Sequence, residues 1–208
     1  MVIETALGGI VTGISAGIAP GPLTMLVISQ TVRYGFREGL ATSMAPLITD
    51  IPIIIVVIIA LSSFREFTAA LSVLALAGSC YVVYLAWDCW RARPPSVQSE
   101  AGAAQSIRRG ALTNFLNPHP YIFWSTVGGP MVVESSQRGL LGPGLFIFFF
   151  YLCLMGTKVA LAWLIGSSRS IIVGSAYRPV MRILAASLVL FAVFLFRHGL
   201  ILLGVICS

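Results

Sequence analysis

A long apolar run at the start of this chain is interrupted by two prolines that flank a glycine. The run covers residues 1–32, and Pro20, Gly21 and Pro22 lie inside it. Proline removes a backbone donor and clashes with the preceding turn, so this motif breaks a helix. Within hydrocarbon, broken backbone is tolerated only where protein or a water-filled cavity surrounds it. The motif therefore predicts a broken membrane helix beside such surroundings.

A second motif of the same kind occupies the corresponding place in the other half of the chain. It consists of Asn117, Pro118, His119 and Pro120 within another apolar segment. Half-helices broken in this way aim their positive N-termini at anionic groups and their free carbonyls at cations. A zwitterionic amino acid presents both kinds of group. The two motifs are therefore interpreted as the centre of a transporter built around two broken helices.

The composition places the chain among integral membrane proteins. Of its 208 residues, 58% are hydrophobic and 10% are charged, and the mean hydropathy is +0.96. A soluble domain has about 25% charged residues. The net charge of +6 comes almost wholly from arginine, because Lys158 is the only lysine. This positive charge is assigned to cytoplasmic loops rather than to nucleic-acid binding.

Six apolar segments are long enough to cross about 30 Å of hydrocarbon. They cover residues 3–32, 40–61, 69–90, 110–133, 144–166 and 180–203. The polar stretch 91–109 divides them into two sets of three and is predicted to be a flexible cytoplasmic linker. The predicted fold is thus an all-α integral membrane protein with six transmembrane helices in two three-helix repeats, 1–90 and 110–208. The first and fourth helices are predicted to be broken at the proline motifs.

Arginines are concentrated on one side of this predicted topology. The loops after spans one, three and five, with their flanks, hold Arg33, Arg37, Arg91, Arg93, Arg108, Arg109, Arg169, Arg178 and Arg182. The opposite side holds Arg65, Arg138 and Arg197. The positive-inside rule then predicts a multi-pass membrane protein with both termini outside. Because three spans per half is an odd number, the halves are predicted to be inverted repeats with a substrate site near mid-membrane at their interface.

Two ionisable residues are predicted to lie deep in the membrane. At a rise of about 1.5 Å per residue, Asp50 lies ~15 Å from the inner end of span two, and Lys158 lies ~12 Å from that of span five. An isolated charge there costs roughly 2.5–3.5 kcal/mol, so such residues pair and usually mark function. We expect Asp50 and Lys158 to face each other or to share one wet cavity. Three interpretations stay open: a static salt bridge that joins the halves, a pair that exchanges protons or contacts substrate, and two residues that do not meet.

Polar residues near the breaks have both a functional and a structural interpretation. Asn114 and Asn117 can hydrogen-bond a substrate or cap the broken helix. Thr24 and Thr49 are similarly placed, but threonine is a common packing residue of membrane helices. His119 can exchange a proton near neutral pH. One histidine without further ligands at suitable spacing does not indicate a metal site.

Three motifs resemble the lysine exporter (LysE/RhtB) family of translocators, in order and spacing, over nearly the whole chain. They are the segment 13–22, the turn 35–39 and the glycine–asparagine–proline pattern of residues 110–118. The resemblance implies an inner-membrane exporter of amino acids or related small solutes that is driven by the proton motive force and associates as a homo-oligomer. It also implies translocation-centre roles for Pro20, Gly21, Pro22, Asn117 and Pro118.

The chain departs from the pattern of that family at two places. Many relatives carry a lysine after the asparagine–proline pair, where this chain has His119. Asp50 and Lys158 form an added pair of intramembrane charges. Both departures bear on the identity of the substrate.

Other functions remain as alternatives. A metal-cation exporter on the same fold would require more intramembrane carboxylates or thiolates than Asp50. A thiol-redox carrier needs paired cysteines at the two breaks, whereas the four cysteines lie elsewhere. A non-transporting scaffold or an intramembrane enzyme is the remaining class, but no hydrolase motif or nucleotide loop supports an enzyme. We predict no catalytic residue, metal or cofactor, and expect a small-molecule substrate and the lipid bilayer, not nucleic acid, as partners.

Overall fold

The structure, a computed structural model, describes residues 2–60, 64–93, 103–136, 139, 141–173 and 176–205. Residues 94–102 of the predicted linker, together with Arg138 and Cys207, lie outside the described residues. The described residues form helices and short turns, with no strand among them, as predicted for an all-α protein. In chain order the helices are α1 (Val2–Ile18), α2 (Pro22–Tyr34), α3 (Phe36–Ser43), α4 (Ala45–Ala60), α5 (Phe64–Trp90), α6 (Ala103–Phe115), α7 (Pro118–Phe123), a π-helical turn (Trp124–Gly128), α8 (Gly129–Ser136), α9 (Leu141–Ser167), α10 (Arg169–Val173) and α11 (Tyr177–Leu202).

Within the described ranges, four helical stretches are long and apolar enough to cross a membrane, and a fifth is added if α1 and α2 are counted as one bent span. The four cover Phe36–Val57, Ala69–Trp90, Leu141–Ser167 and Tyr177–Leu202. They correspond to predicted spans two, three, five and six. Predicted span four is not among them, because the chain from α6 to α8 is divided into short helices by prolines and a π-helical turn. The six-span count therefore stays a prediction.

The first proline motif breaks the chain as the sequence predicts. α1 ends at Ile18, and Gly21 is extended, with φ −162° and ψ 173°, immediately before Pro22 begins α2. The axes of the two helices differ by 62°. Proline suits the first position of a helix because its missing N–H would be unpaired there in any case. The motif thus ends one helix and starts another.

The second motif produces a similar break. α6 ends at Phe115, and Asn117 caps α7 by accepting a hydrogen bond from the backbone N–H of His119 at 3.1 Å. The Tyr121 hydroxyl donates to the carbonyl of Phe115 at 3.1 Å and so satisfies a carbonyl freed at the end of α6. α7 then passes into the π-helical turn. Such turns occur frequently at functional sites.

The main helix contacts join the two halves of the chain. α1 packs along α9, α5 packs along α11, and α4 packs against α6. Gly9, Gly13 and Gly17, spaced by four, form the face of α1 that lies on α9. A Cβ added at Gly9 or Gly13 would overlap a backbone carbonyl of α9, and one at Gly17 would overlap the side chain of Thr157. Small residues at this spacing let helix backbones approach closely in a membrane.

This contact gives a prediction about stability. Gly13→Ala is expected to destabilise the fold by about 1–3 kcal/mol, because the added methyl group meets the Phe150 carbonyl and the helices must separate. Gly156→Ala on α9 is the matched control, since a Cβ at Gly156 meets no atom within 4 Å. Relief of glycine's backbone entropy should make that control neutral or more stable by about 0.5–1 kcal/mol. Thermal unfolding of the two variants in detergent checks this, and equal midpoints would contradict the close α1–α9 contact.

A cluster of charged residues ties three helices together near the arginine-rich ends. Asp88 on α5 forms ion pairs with Arg33 on α2 and with Arg109 on α6, the latter at 3.1 Å. Arg169 donates to the carbonyls of Val32 and Arg33 at 3.1 and 2.9 Å. A cation at these carbonyls stabilises the negative C-terminal end of α2. Charged contacts thus help to close this end of the molecule, beside the apolar packing of Val32, Cys89 and Tyr177.

Candidate functional site

Both helix breaks line one cavity of about 380 Å³, together with parts of α4, α9 and α11. Its size is near the lower end of the range of about 300–1,000 Å³ that is typical of small-molecule sites. Of the predicted site residues, those that line this cavity are Pro20, Gly21, Pro22, Asp50, Asn114, Asn117, His119 and Lys158. Pro118 is buried at the start of α7 and is not part of the lining. The structure therefore brings nearly all of the predicted residues together.

The acid of the cavity is Asp50 on α4, with 4% of its surface exposed. Asn114 donates from Nδ2 to one carboxylate oxygen at 2.9 Å, and the Tyr151 hydroxyl donates to the other at 3.0 Å. The Asn114 amide also donates to the Thr49 hydroxyl at 2.7 Å. Both donors are neutral. Both lie in the second half of the chain, whereas Asp50 lies in the first. The carboxylate is therefore oriented by hydrogen bonds without a cationic partner.

The base of the cavity is Lys158 on α9, which is also 4% exposed. Its Nζ donates to the Thr24 hydroxyl at 3.0 Å and to the Gly17 carbonyl at 3.4 Å. Gly17 lies in the last turn of α1, where carbonyls lack helical partners and the helix end is partly negative. The Thr24 hydroxyl in turn donates to the Ala19 carbonyl at 3.0 Å. Lys158 is thus held at the first break by neutral oxygen atoms.

Asp50 and Lys158 share the cavity but do not form a salt bridge with each other. In the described part of the chain, neither lies within ion-pair distance of an opposite charge. The static salt bridge predicted as one possibility is therefore not formed in this structure. The two residues do share one cavity, as expected. The physical reason is that each side chain is already bonded across the interface to neutral groups of the other half. Two buried, oppositely charged groups thus line one space without a counter-ion.

The remaining polar residues divide into structural and cavity-facing groups. Asn117 caps α7, which is the structural interpretation of that residue, whereas Asn114 contacts Asp50 and Thr49 instead. His119 is exposed and lines the cavity. No group of three or more His, Cys, Asp or Glu residues suited to a metal ion occurs within the ranges that the structure describes.

Aromatic residues of the site are missed by sequence reasoning. Phe123 stacks on Phe150 with 4.9 Å between ring centroids. Trp124 packs against both rings in an edge-to-face arrangement, with centroid distances of 5.5 Å to Phe123 and 5.6 Å to Phe150. Tyr151, which bonds Asp50, ends an aromatic run that is typical of lipid-facing or core packing. The available signal is spacing, because Tyr151 lies seven residues, or about two helical turns, before Lys158 on the same helix.

Comparisons with known proteins agree with this architecture. The family model described as LysE type translocator matches residues 14–199. A protein of Vibrio cholerae serotype O1, named only as an uncharacterized membrane protein, is 28% identical over 128 residues. That alignment covers 59% of this chain and 62% of the relative, which is less than two thirds of its length. No solved structure matches the chain.

Proposed function

Because this chain belongs to the LysE type translocator family, we propose that it exports amino acids or related small zwitterionic solutes across the inner membrane in exchange for protons. Membership of the family makes it a membrane transport protein and not an enzyme. The substrate, the coupling ion and the location of the site are the proposed parts.

The observation that carries the proposal is the pair of buried charges without counter-ions. Asp50 and Lys158 line the same cavity, and the described groups that bond them are neutral. A charge inside a membrane costs roughly 2.5–3.5 kcal/mol or more, so an empty site of this kind is unfavourable. A zwitterion supplies both missing partners, since its ammonium group suits Asp50 and its carboxylate suits Lys158. A lone metal cation would be repelled by the Lys158 ammonium.

The helix contacts support an inverted repeat with the site at its interface. If the first, second and third spans exchange with the fourth, fifth and sixth, the α1–α9 contact maps onto the α6–α4 contact. The α5–α11 contact maps onto itself. The hydrogen bonds of Asp50 and Lys158 follow the same exchange of halves. Asp50 contacts the broken helix of the second half, and Lys158 contacts the broken helix of the first half. Transporters built from such repeats bind substrate near mid-membrane between the halves.

Proton coupling follows from competition at Asp50. A proton and a substrate ammonium are alternative partners for the same buried carboxylate, and either removes the cost of an isolated charge. Release of substrate on one side then favours proton uptake there, and proton release on the other side restores the site for substrate. Exchange through one carboxylate requires no second titratable group.

The charged cluster at the arginine-rich ends supports a cavity that is closed on that side. Arg109 precedes Asn114 by five residues, or about 8 Å, and Arg33 follows Thr24 by nine residues, or about 14 Å, at the rise of a helix. Asp88 joins both arginines and so connects α2, α5 and α6 below the cavity. With these ends on the cytoplasmic side, opening toward the cytoplasm requires the cluster to separate.

The proposal is tested with purified protein in liposomes that are loaded with labelled zwitterionic amino acids. An acidic exterior is expected to accelerate efflux severalfold over an equal pH, and an uncoupler should remove the acceleration. Protein-free liposomes and a heat-inactivated preparation are the controls. Efflux of no amino acid at any pH from vesicles with folded protein would contradict the proposal. Efflux of cadmium or nickel alone would favour the metal-cation exporter.

A further inference from the structure

We propose that the exported solute carries a large apolar side chain, aromatic or branched aliphatic, and that Trp124 and Phe150 form the surface that selects it. This inference rests on the proposed function and concerns the side chain of the zwitterion rather than its backbone charges.

The first argument is the composition of the cavity wall beside the acid. Phe123, Trp124 and Phe150 form one aromatic group whose ring centroids lie 4.9–5.6 Å apart. Trp124 also contacts the ring of Tyr151 at 6.5 Å, and Tyr151 holds Asp50 through its hydroxyl. The acid and the aromatic group are therefore neighbours. An ammonium bound at Asp50 lies next to aromatic rings, whose faces attract cations.

The second argument is the order of residues along α9. Phe150, Leu154 and Lys158 all line the cavity and are spaced by four, so they lie on one face of the helix. Leu154 is 6% exposed and Phe150 is 2% exposed. A solute whose carboxylate contacts Lys158 therefore has an apolar surface along the next two turns toward Phe150. A large apolar side chain fills this surface, and a small one leaves it unoccupied.

The third argument is the lack of a second counter-ion for a charged side chain. Among the described lining residues, the titratable groups are Asp50, Lys158 and the exposed His119. The backbone ammonium and carboxylate of a zwitterion use the first two. A lysine, arginine or glutamate side chain would then have to be buried against carbon without a partner of opposite charge, which is strongly unfavourable. The site therefore discriminates against charged side chains as well as small ones.

The experiment measures inhibition of labelled-leucine exchange in proteoliposomes by unlabelled amino acids at equal pH on both sides. Leucine, methionine, phenylalanine and tryptophan are expected to compete about 10- to 100-fold more strongly than glycine or alanine, from burial of the side chain. Lysine and glutamate should compete no better than glycine. If labelled leucine does not exchange, the same vesicles are tested with labelled lysine and labelled threonine.

The variants Trp124→Leu and Phe150→Leu keep an apolar side chain and remove one ring each. Both are expected to lower the ratio of phenylalanine to leucine affinity severalfold, and this ratio does not depend on the amount of folded protein. If a variant fails to fold, competition by the unlabelled amino acids at the wild-type protein still tests the inference. Equal competition by glycine, lysine and phenylalanine would overturn the inference and leave amino-acid export standing. Exchange of no amino acid at all would overturn both.

Discussion

Asp50→Asn is expected to remove the pH dependence of transport and to weaken binding of zwitterionic substrates by about 10- to 150-fold. The size follows from the loss of a hydrogen bond to a charged group, worth about 1.5–3 kcal/mol. Asparagine has the same shape and keeps a carbonyl oxygen as an acceptor for the Tyr151 hydroxyl. It cannot hold a proton in place of the substrate ammonium. The variant should therefore still insert and fold, because removal of a buried charge without a counter-ion offsets the loss of the hydrogen bond that Asn114 donates to Asp50.

Two comparisons make this prediction specific to the carboxylate. Tyr151→Phe removes one donor to Asp50 and keeps the charge, so transport should weaken but remain pH-dependent. Glu134→Gln neutralises an exposed acid of α8 outside the cavity lining and should change neither property. Substrate-loaded vesicles assayed with and without a pH gradient give both readouts for all three variants. Full, pH-dependent export by Asp50→Asn would exclude this carboxylate as the coupling group.

The positions of the breaks and of the two charges are predictable from the sequence because each depends on local chemistry. Pro20 and Pro118 interrupt helices by steric clash and by a missing donor, whatever surrounds them. Asp50 and Lys158 are deep in apolar segments, and their depth follows from counting residues along a helix. These features are enough to predict which residues lie near one another, and most of that set lines one cavity.

The partners of those charges could not be predicted, because they depend on how the helices cross. Asn114 reaches Asp50 only because α6 packs against α4. Lys158 reaches Gly17 only because a row of glycines lets α1 lie directly on α9. The two charges satisfy these separate contacts instead of meeting, so a pairing inferred from equal depth is too simple. Tyr151 carries no sequence signal beyond its spacing from Lys158, since one aromatic residue in an aromatic run is most often packing.

Span four shows a different limit. An apolar window of residues 110–133 is long enough to cross a membrane by composition. Composition does not reveal that Asn117 caps a new helix or that a π-helical turn begins at Trp124. The resulting short helices place Asn114, Asn117 and Trp124 around the cavity. Departure from a regular span is therefore the feature that builds this wall of the site.

Lys158→Met is expected to reverse the charge preference of the transporter. The wild-type protein should prefer a zwitterionic amino acid to its amide, because the amide lacks the carboxylate that Lys158 binds and remains a cation. Removal of the lysine leaves Asp50 as the charged group of the site, so the amide should then bind better than the parent amino acid. The repulsion between Lys158 and the ammonium is common to both ligands and cancels, so loss of the attraction to the carboxylate, about 1.5–3 kcal/mol, predicts a change in the preference of about 10- to 150-fold.

The alternative role of Lys158 is structural, since its ammonium group bonds the Gly17 carbonyl and the Thr24 hydroxyl at the first break. Thr24→Val disturbs these contacts without changing a charge, so it should alter activity and leave the preference for the zwitterion intact. Asp50→Asn tests the opposite charge. In this variant, N-acetyl amino acids, which lack the ammonium, should bind more strongly relative to the parent amino acid than they do in the wild-type protein. Competition by the parent, amide and N-acetyl forms of one amino acid measures all three variants on a common scale. If Lys158→Met lowers only the amount of folded protein and keeps the wild-type order of ligands, the lysine holds the break together and does not contact the solute.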